Sequence, residues 1–244
     1  MASPTDRMAA GSGFGALAKA DELKKRLWFT VGALIIYRLG TYLPLPGINP
    51  GALADIFSQQ SSGILGMFDM FSGGALGRMT IFALNIMPYI TASIIMQLMT
   101  AIVPSLEALK KDGEGGRKTI NQYTRYLTVL LASVQGYGIA VALEAASGVV
   151  GDPGMFFRLT TVVTLVGGTL FLMWLGEQIT SRGVGNGISL IIFSGIVAEL
   201  PTALAGTLEL GRTGALSSIL IVLVFVMAAA VIACIVFIER SVRT

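Results

Sequence analysis

The 244-residue sequence has no histidine and a single cysteine, and each of these facts excludes several kinds of functional site. Without histidine it lacks a Ser-His proteolytic pair, a histidine-bound zinc or haem, and a histidine proton relay. Cys234 has no second cysteine for a disulfide or a CxxC motif, and we expect it to be a small buried apolar residue. The sequence therefore predicts no catalytic residue, no cofactor and no metal site.

Charge is also scarce, because 13% of the residues are charged, whereas a soluble domain has about a quarter. The hydrophobic share is 54% and the mean hydropathy is +0.76. Thirty glycines and eight prolines are compatible with membrane spans, where neighbouring helices satisfy an interrupted backbone. This composition predicts an all-α, multi-pass membrane helix bundle. The net charge of +3 comes from short basic clusters between apolar segments, which indicates topology determinants rather than nucleic-acid recognition.

Six apolar segments are long enough to cross a bilayer, for which about 20 residues are needed. They are residues 27–45, 79–103, 124–146, 156–177, 186–204 and 214–238. Arg38, near the far end of the first segment, can extend its guanidinium group to the interface. Residues 15–28 mix leucines and Trp28 with four basic residues, which favours a short helix on the membrane surface; a solvated helix is the alternative.

Lysine and arginine are distributed unevenly between the connections, and this asymmetry predicts the orientation. One side has only Arg78, Arg158 and Arg212. The other side has twelve: Lys19, Lys24, Lys25, Arg26, Lys110, Lys111, Arg117, Lys118, Arg125, Arg182, Arg240 and Arg243. Because positive residues favour the cytoplasm, we expect both termini to be cytoplasmic, as an even number of spans requires.

Residues 62–76, between the first two spans, are apolar but too short to cross the membrane. They contain one acidic residue, Asp69, and a Gly73-Gly74 hinge. Backbone at membrane depth is tolerated where it is buried in protein or lines an aqueous cavity, so the pattern predicts a re-entrant segment. A short amphipathic helix on the outer interface is the alternative.

The second span contains polar residues on one side of a predicted helix. Four residues spaced at i, i+4, i+7 and i+11 share a face: Ile86, Ile90, Ser93 and Gln97. Thr91 lies beside this face, and Pro88 interrupts the backbone hydrogen bonds near the isoleucines. An amide costs free energy in hydrocarbon unless it is hydrogen-bonded. The alternative for Gln97, which needs no special function, is an interhelical hydrogen bond worth roughly 1 kcal/mol.

Three glycines predict a tight turn with positive φ angles before the fifth span: Gly183, Gly185 and Gly187. A nucleotide-binding loop is not predicted, because no strand precedes the turn and no Lys-Ser/Thr follows it. Asn186 and Ser189 can cap the fifth span, and Glu177 and Arg182 can pair or meet the interface. Two further isoleucines then share a helix face: Ile188 and Ile192.

These segments resemble signatures of the SecY/Sec61 protein-conducting channel family, and the resemblance covers nearly the whole chain in order. The two long signatures are residues 84–97 (LNIMPYITASIIMQ) and 174–193. Three further segments are similar as well: FDMFSGGALGR at 68–78, LPLPGI at 43–48 and KKDGEGGRKTINQYTRY at 110–126. One departure is Asn85, where the family usually has glycine; an extra amide there could alter the polarity of a pore.

The resemblance implies a role for each region. Bulky aliphatic residues would form a constriction ring that gates by dewetting: Ile86, Ile90, Ile188 and Ile192. A plug would close the resting channel from outside: Ile64, Leu65, Met67, Phe68, Asp69, Met70, Phe71, Gly73 and Gly74. One wall of a lateral gate for signal sequences would include Thr91, Ser93 and Gln97.

The resemblance also implies a fragment, since members of the family have ten spans in two inverted halves. Residues 1–26 would be a cytoplasmic segment, 27–205 the first half, and 206–244 the sixth span with the start of a docking loop. Arg240 and Arg243 would meet a cytoplasmic partner there. The implied partners are SecE-type and SecG-type subunits, the SecA motor, the ribosome, a signal-bearing nascent polypeptide and membrane lipid, in a bacterial plasma membrane.

Two other classes of membrane protein would require different residues from a channel. A secondary transporter would place a charged or ion-binding group at the bilayer midplane, but the deep polar groups here are mostly neutral. An intramembrane aspartyl protease would need two facing aspartates within spans. Asp69 and Asp152 lie outside the six predicted spans, so the protease is disfavoured and the transporter half stays the alternative.

Overall fold

The computed structural model describes residues 21–60, 69, 72–146, 148–213 and 217–242. Its helices are α1 (Asp21–Gly40), α2 (Pro50–Gln60), α3 (Met87–Ile102), α4 (Pro104–Lys111), α5 (Glu114–Ala145), α6 (Met155–Arg182), α7 (Gly187–Arg212) and α8 (Ser218–Val242). Two isolated β-bridges join loop residues, Pro44 with Thr80 and Ile48 with Val150. The predicted all-α membrane fold is confirmed. The chain divides into two compact units, up to Ile196 and from Val197.

Four of the described helices are long and apolar enough to cross a membrane: α5, α6, α7 and residues 219–241 of α8. The bent pair of α3 and α4 would make a fifth if it counts as one span. α1 is not among them, because five of its first six residues are charged. The count of six spans and the cytoplasmic placement of the termini stay predictions.

The predicted second span, residues 79–103, has the wrong helical start, because α3 begins only at Met87. Pro88 therefore lies in the first helical turn, where its missing N–H needs no partner, and it does not interrupt the helix. At the other end Val103 is extended, with φ −95° and ψ 114°, as expected for a residue before proline. The chain bends there by 99° into α4.

The predicted basic connection after the second span is largely helical. α4 contains Lys110 and Lys111, and Lys111 lies 2.7 Å from Glu107 one turn earlier. Gly113 adopts φ +73° between α4 and α5, and α5 begins at Glu114, about ten residues before the predicted span. The basic residues therefore sit on helices rather than on an irregular loop.

Helices α5 and α6 form an antiparallel hairpin that is held by an ion pair at each end. Arg125 binds Glu177 at 2.6 Å, and Arg158 binds Glu144 at 2.6 Å. On both helices the paired positions are 19 residues apart, which corresponds to about 28 Å of helix. Because the hydrocarbon layer is about 30 Å thick, both charged pairs can lie near its edges.

Two apolar clusters lie in the first unit. One joins α2 and the loop after α1 to α5 and α6, and its largest members include Leu45, Leu53, Phe157 and Leu165. The other lies between α1, α6 and the start of α7. In it Tyr37 stacks on Phe82 and Phe82 on Phe171, with ring centroids 6.1 and 5.8 Å apart. The candidate site lies at this second cluster.

Cys234 lies exposed on α8, so the prediction of a buried residue is wrong. The apolar run around it reflects the requirement of a membrane-length helix, in which lipid rather than protein can cover apolar side chains. Ile232 and Ile235, on either side of it, are exposed as well. Hydrophobicity in such a segment therefore indicates membrane depth and does not indicate burial within the protein.

The contact of α6 with the chain before α3 predicts different effects for two neighbouring glycines. A Cβ atom on Gly168 would overlap the carbonyl oxygen of Ile81, whereas a Cβ atom on Gly167 would meet open space. We expect Gly168→Ala to lower stability by about 1–3 kcal/mol through overpacking, and Gly167→Ala to leave it unchanged or slightly raised. Thermal unfolding of the purified membrane protein in detergent measures both. Equal stability of the two variants would contradict this close contact.

Candidate functional site

Three of the four predicted ring residues lie in one apolar cluster. Ile86 is 1% exposed and packs with Leu172, Leu175, Ile179 and Ile191. Ile90 and Ile188 are half-buried against the same cluster. Ile192 is half-buried but lies outside this cluster of described residues. The starts of α3 and α7 therefore bring these isoleucines together, with Ile86 inside the bundle and Ile90 partly accessible.

The predicted polar face of α3 lies at the edge of its buried side. The buried row consists of Pro88, Ala92, Met96 and Thr100. Next to it Gln97 is exposed and its amide nitrogen donates to Ser93 Oγ at 3.4 Å. Thr91 is exposed and donates to the Met87 carbonyl at 3.0 Å. The hydrogen bond of Gln97 thus joins two turns of one helix and is not the interhelical bond considered as the alternative.

Two cavities adjoin α3. A cavity of about 500 Å³ extends from Ser72 past Asn85 and Thr91 to Gln135 on α5. A second cavity of about 250 Å³ lies at the other end of α3, where Gln97 faces a more polar lining. That lining includes Thr100, Lys110, Arg117, Asn121 and Thr124. The lateral-gate candidates Thr91 and Gln97 therefore border open space.

Only three residues of the predicted plug are described: Asp69, Gly73 and Gly74. Ile64, Leu65, Met67, Phe68, Met70 and Phe71 lie outside the described residues. The Asp69 carboxylate accepts from the Gly77 amide at 2.6 Å and from Ser72 Oγ at 3.3 Å. Gly73 and Gly74 adopt φ +66° and +77°, a left-handed pair that favours glycine. The predicted hinge is a tight turn in the structure.

The three glycines around the start of α7 have two different roles. Of the three, Gly185 alone has a positive φ, +77°, so the predicted turn contains one left-handed glycine. Gly187 lies against the Gly176 carbonyl, and a Cβ atom on Gly183 would approach Thr30 Oγ1 at 2.5 Å. The small residues at 183 and 187 therefore permit close packing of α7 on α6 and of the turn on α1.

Polar contacts fix this turn. Asn186 Oδ1 accepts from the amides of Ile188 at 3.1 Å and Ser189 at 3.3 Å, so the predicted cap at Asn186 forms. Thr30 Oγ1 accepts from the Val184 amide at 3.1 Å and ties the turn to α1. Glu177 binds Arg125 of α5 instead of Arg182, which the sequence spacing could not show because these partners are 52 residues apart.

Asn85 is explained by its backbone conformation. It adopts φ +50°, which L-residues avoid but asparagine tolerates better than most. The residue is 4% exposed, so its amide is largely buried although the residue borders the cavity of about 500 Å³. The resemblance already contained this signal, because glycine at the corresponding family position indicates a left-handed residue.

A polar cluster around Gly73 was not predicted from the sequence pattern. Arg38 and Arg78 both donate to the Gly73 carbonyl, and both guanidinium groups lie over the Tyr42 ring. The Arg38 guanidinium contacts Gly73 and Tyr42 of the protein, and its reach to the membrane interface stays a prediction. The docking candidate Arg240 lies exposed on α8, and Arg243 lies outside the described residues.

Together these features define a multi-pass α-helical membrane protein with isoleucines clustered beside a partly polar helix face. A model of the SecY family matches residues 80–244. The chain therefore belongs to the SecY family. It is 56% identical over 225 residues to the protein translocase subunit SecY of Buchnera aphidicola subsp. Acyrthosiphon kondoi, and 55% identical over 225 residues to that of Escherichia coli (strain K12). These alignments cover 91% of this chain, and 63% and 51% of the relatives, so the chain spans about half to two-thirds of their length.

Solved structures agree on the fold. The chain is similar to a protein conducting channel and to Sec61 in the canine ribosome-channel complex from the endoplasmic reticulum. Each comparison has a TM-score of 0.53 and 19% identity, and covers 78% of this chain and 38% of the other. At this identity the similarity supports the fold of the matched part alone.

The left-handed backbone at position 85 predicts a difference between two substitutions. Asn85→Gly and Asn85→Ala both remove the amide, so their difference reports on backbone conformation. We expect Asn85→Ala to be less stable than Asn85→Gly by about 1 kcal/mol, because alanine disfavours positive φ. Thermal unfolding in detergent measures this, with the same pair at helical Asn121 as the control. There alanine should be the more stable residue, and the same order at both positions would contradict the assignment.

Proposed function

We propose that this chain forms one half of a protein-conducting channel, which passes unfolded secretory polypeptides across the plasma membrane and releases membrane spans into lipid. The support is kinship with proteins named protein translocase subunit SecY, at 56% identity over 91% of the chain. Because the chain spans about half to two-thirds of these relatives, a complete pore would also need the part that they add. No catalytic step is assigned to the chain.

The polar face of α3 is the structural observation that best supports a channel. Gln97 and Ser93 bond to each other on a face next to Ile90, outside the buried row of the helix. A helix that faced only lipid would expose this amide to hydrocarbon at a cost in free energy. A passing polypeptide or signal sequence would offer polar and apolar partners in turn. Thr91, Ser93 and Gln97 would therefore form one wall of a lateral gate.

The isoleucines would form part of the constriction ring. Ile86 and Ile188 anchor it to the apolar cluster on α6, and Ile90 extends from the same site with part of its side chain accessible. Ile192 would complete this half of the ring on α7. A ring of bulky aliphatic side chains expels water when no polypeptide is present, which limits ion leakage.

The plug proposal concerns the segment before α3. The described residues Asp69, Gly73 and Gly74 form a hydrogen-bonded turn beside the cavity that adjoins Thr91. This supports a compact element next to the gate. We propose that it belongs to a plug with Ile64, Leu65, Met67, Phe68, Met70 and Phe71, which closes the resting channel from outside.

Partners and orientation are part of the same proposal. Both termini would be cytoplasmic, with Arg240 and Arg243 leading into a surface for the SecA motor or the ribosome, and with SecE-type and SecG-type subunits beside the helices. The basic residues of α4 and the start of α5 would then face the cytoplasm. The canine Sec61 chain, to which this chain is similar in fold, is part of a ribosome-channel complex, and we propose a ribosome partner here by analogy.

A transporter half is less well supported. It would need a charged or ion-binding group at mid-depth. The two ion pairs of the hairpin, at Glu144 and Glu177, lie instead near its two ends. Gradient-driven flux of a small ion without polypeptide transport would favour the transporter.

The test of the proposed function is a disulfide between Ile90 and a translocating chain. In a Cys234→Ser background, Ile90→Cys is paired with a stalled secretory nascent chain that has one cysteine. The part that the relatives add is co-expressed. Ile90 is preferred to Ile86 because the latter is buried, so its replacement would disturb packing. We expect a crosslink that depends on the added part.

The matched control is Ile95→Cys on the same helix. Ile95 is exposed and lies about 140° around α3 from Ile90. It should crosslink much less. No crosslink at Ile90 in an assembled complex, or equal crosslinks at both positions, would refute the proposed pore face.

A further inference from the structure

We propose that Arg38 and Arg78 are positioning residues that lock a wedge, residues 72–78, between α1 and α7 and thereby hold the resting channel sealed. The inference rests on the proposed function, because sealing has meaning only for a channel. It assigns a role to two arginines that neither the ring nor the gate uses.

The wedge lies against both helices. The Tyr37 hydroxyl donates to the Ser72 carbonyl at 3.4 Å, and the next residue of α1, Arg38, binds the next carbonyl, Gly73. On the other side a Cβ atom at Gly73 would lie 3.0 Å from Gly195 Cα on α7. Gly195 follows Ile192 by less than one helical turn. The wedge therefore lies close to the proposed ring.

Two guanidinium groups meet at one carbonyl. Arg38 Nη1 donates to the Gly73 oxygen at 2.8 Å, and Arg78 Nη2 donates to the same oxygen at 3.0 Å. Arg78 Nε also donates to the Gly74 oxygen at 3.0 Å. Hydrogen bonds from a charged donor are roughly twice as strong as neutral ones. The Arg38 bond is thus the charged connection between α1 and the wedge, and the two Arg78 bonds brace the wedge internally.

Tyr42 holds the two arginines in place. Their guanidinium carbons lie 5.2 Å (Arg38) and 4.4 Å (Arg78) from its ring centroid, and Arg38 Nη2 donates to its hydroxyl at 3.3 Å. Like charges repel, but the negative face of the ring attracts both. The ring therefore makes it possible for two cations to share one acceptor.

The wedge is also internally bonded, so it can move as one piece. Asp69 Oδ1 accepts from the Gly77 amide at 2.6 Å, and Ser72 Oγ accepts from the Leu76 amide at 3.1 Å. The Thr80 amide donates to the Ala75 carbonyl at 3.0 Å. Loss of the Arg38 bond would loosen this turn from α1 without first unfolding it.

The experiment uses the complete membrane complex with Arg38→Gln, Arg38→Lys and Arg78→Gln. Amide hydrogen exchange of a peptide covering residues 72–80 reports on the wedge, and ion conductance without substrate reports on the seal. We expect Arg38→Gln to accelerate exchange about tenfold, as loss of a charged hydrogen bond implies, and to raise resting conductance. Arg78→Gln should act in the same direction, and Arg38→Lys should recover part of both effects.

Arg212→Gln is the control. Arg212 is predicted on the same side of the membrane as Arg78, and it pairs only with Glu209 in the contacts described. It should change neither reading. Unchanged exchange in folded Arg38→Gln and Arg78→Gln overturns the inference, and so does faster exchange without added conductance. If the Ile90 crosslink forms in the parent complex in those cases, the proposed channel function stands and only the wedge fails. Absence of that crosslink refutes the proposed function itself.

Discussion

The antiparallel packing of α5 on α6 is the constraint on which the rest of the first unit depends. Its two ion pairs fix the register, and at one end the Glu144 carboxylate also accepts from the Gly154 amide at 2.9 Å, which joins the pair to the turn before α6. α3 packs on α5, and α1 packs on α6. A slip in this hairpin would therefore displace both helices that position Ile86 and the wedge.

Much of this architecture could be predicted from hydrophobic runs, because a membrane requires about 20 apolar residues whatever their order. The runs place α5, α6, α7 and α8. They misplace helix ends, because hydropathy indicates depth in the membrane and not backbone conformation. The start of α3 depends on the left-handed Asn85 and on Pro88, and its end depends on Pro104. These residues set the ends of α3 without changing the hydropathy of the segment, so a hydropathy pattern does not reveal them.

The candidate site was predictable only where helical spacing applies. Ser93 and Gln97 are one turn apart within α3, and they contact each other as the spacing implies. Ile86 precedes the first helical residue and is fully packed, so its membership of the same face does not make it accessible. The contact of Arg38 with Gly73 joins residues 35 positions apart in different elements, and no periodicity connects them.

The chemistry of that contact suits the proposed wedge, which would have to be both held and released. An arginine paired with a buried carboxylate would leave an uncompensated charge in the protein when the pair separates, at a cost of several kcal/mol. The carbonyl of Gly73 is neutral, so release leaves only a dipole, while Arg38 keeps the Tyr42 ring and hydroxyl as partners. Because the acceptor belongs to the backbone, the bond depends on the left-handed glycine turn that presents it. The contact of Arg38 with the wedge would therefore be strong when it is formed, and it could still break and form again.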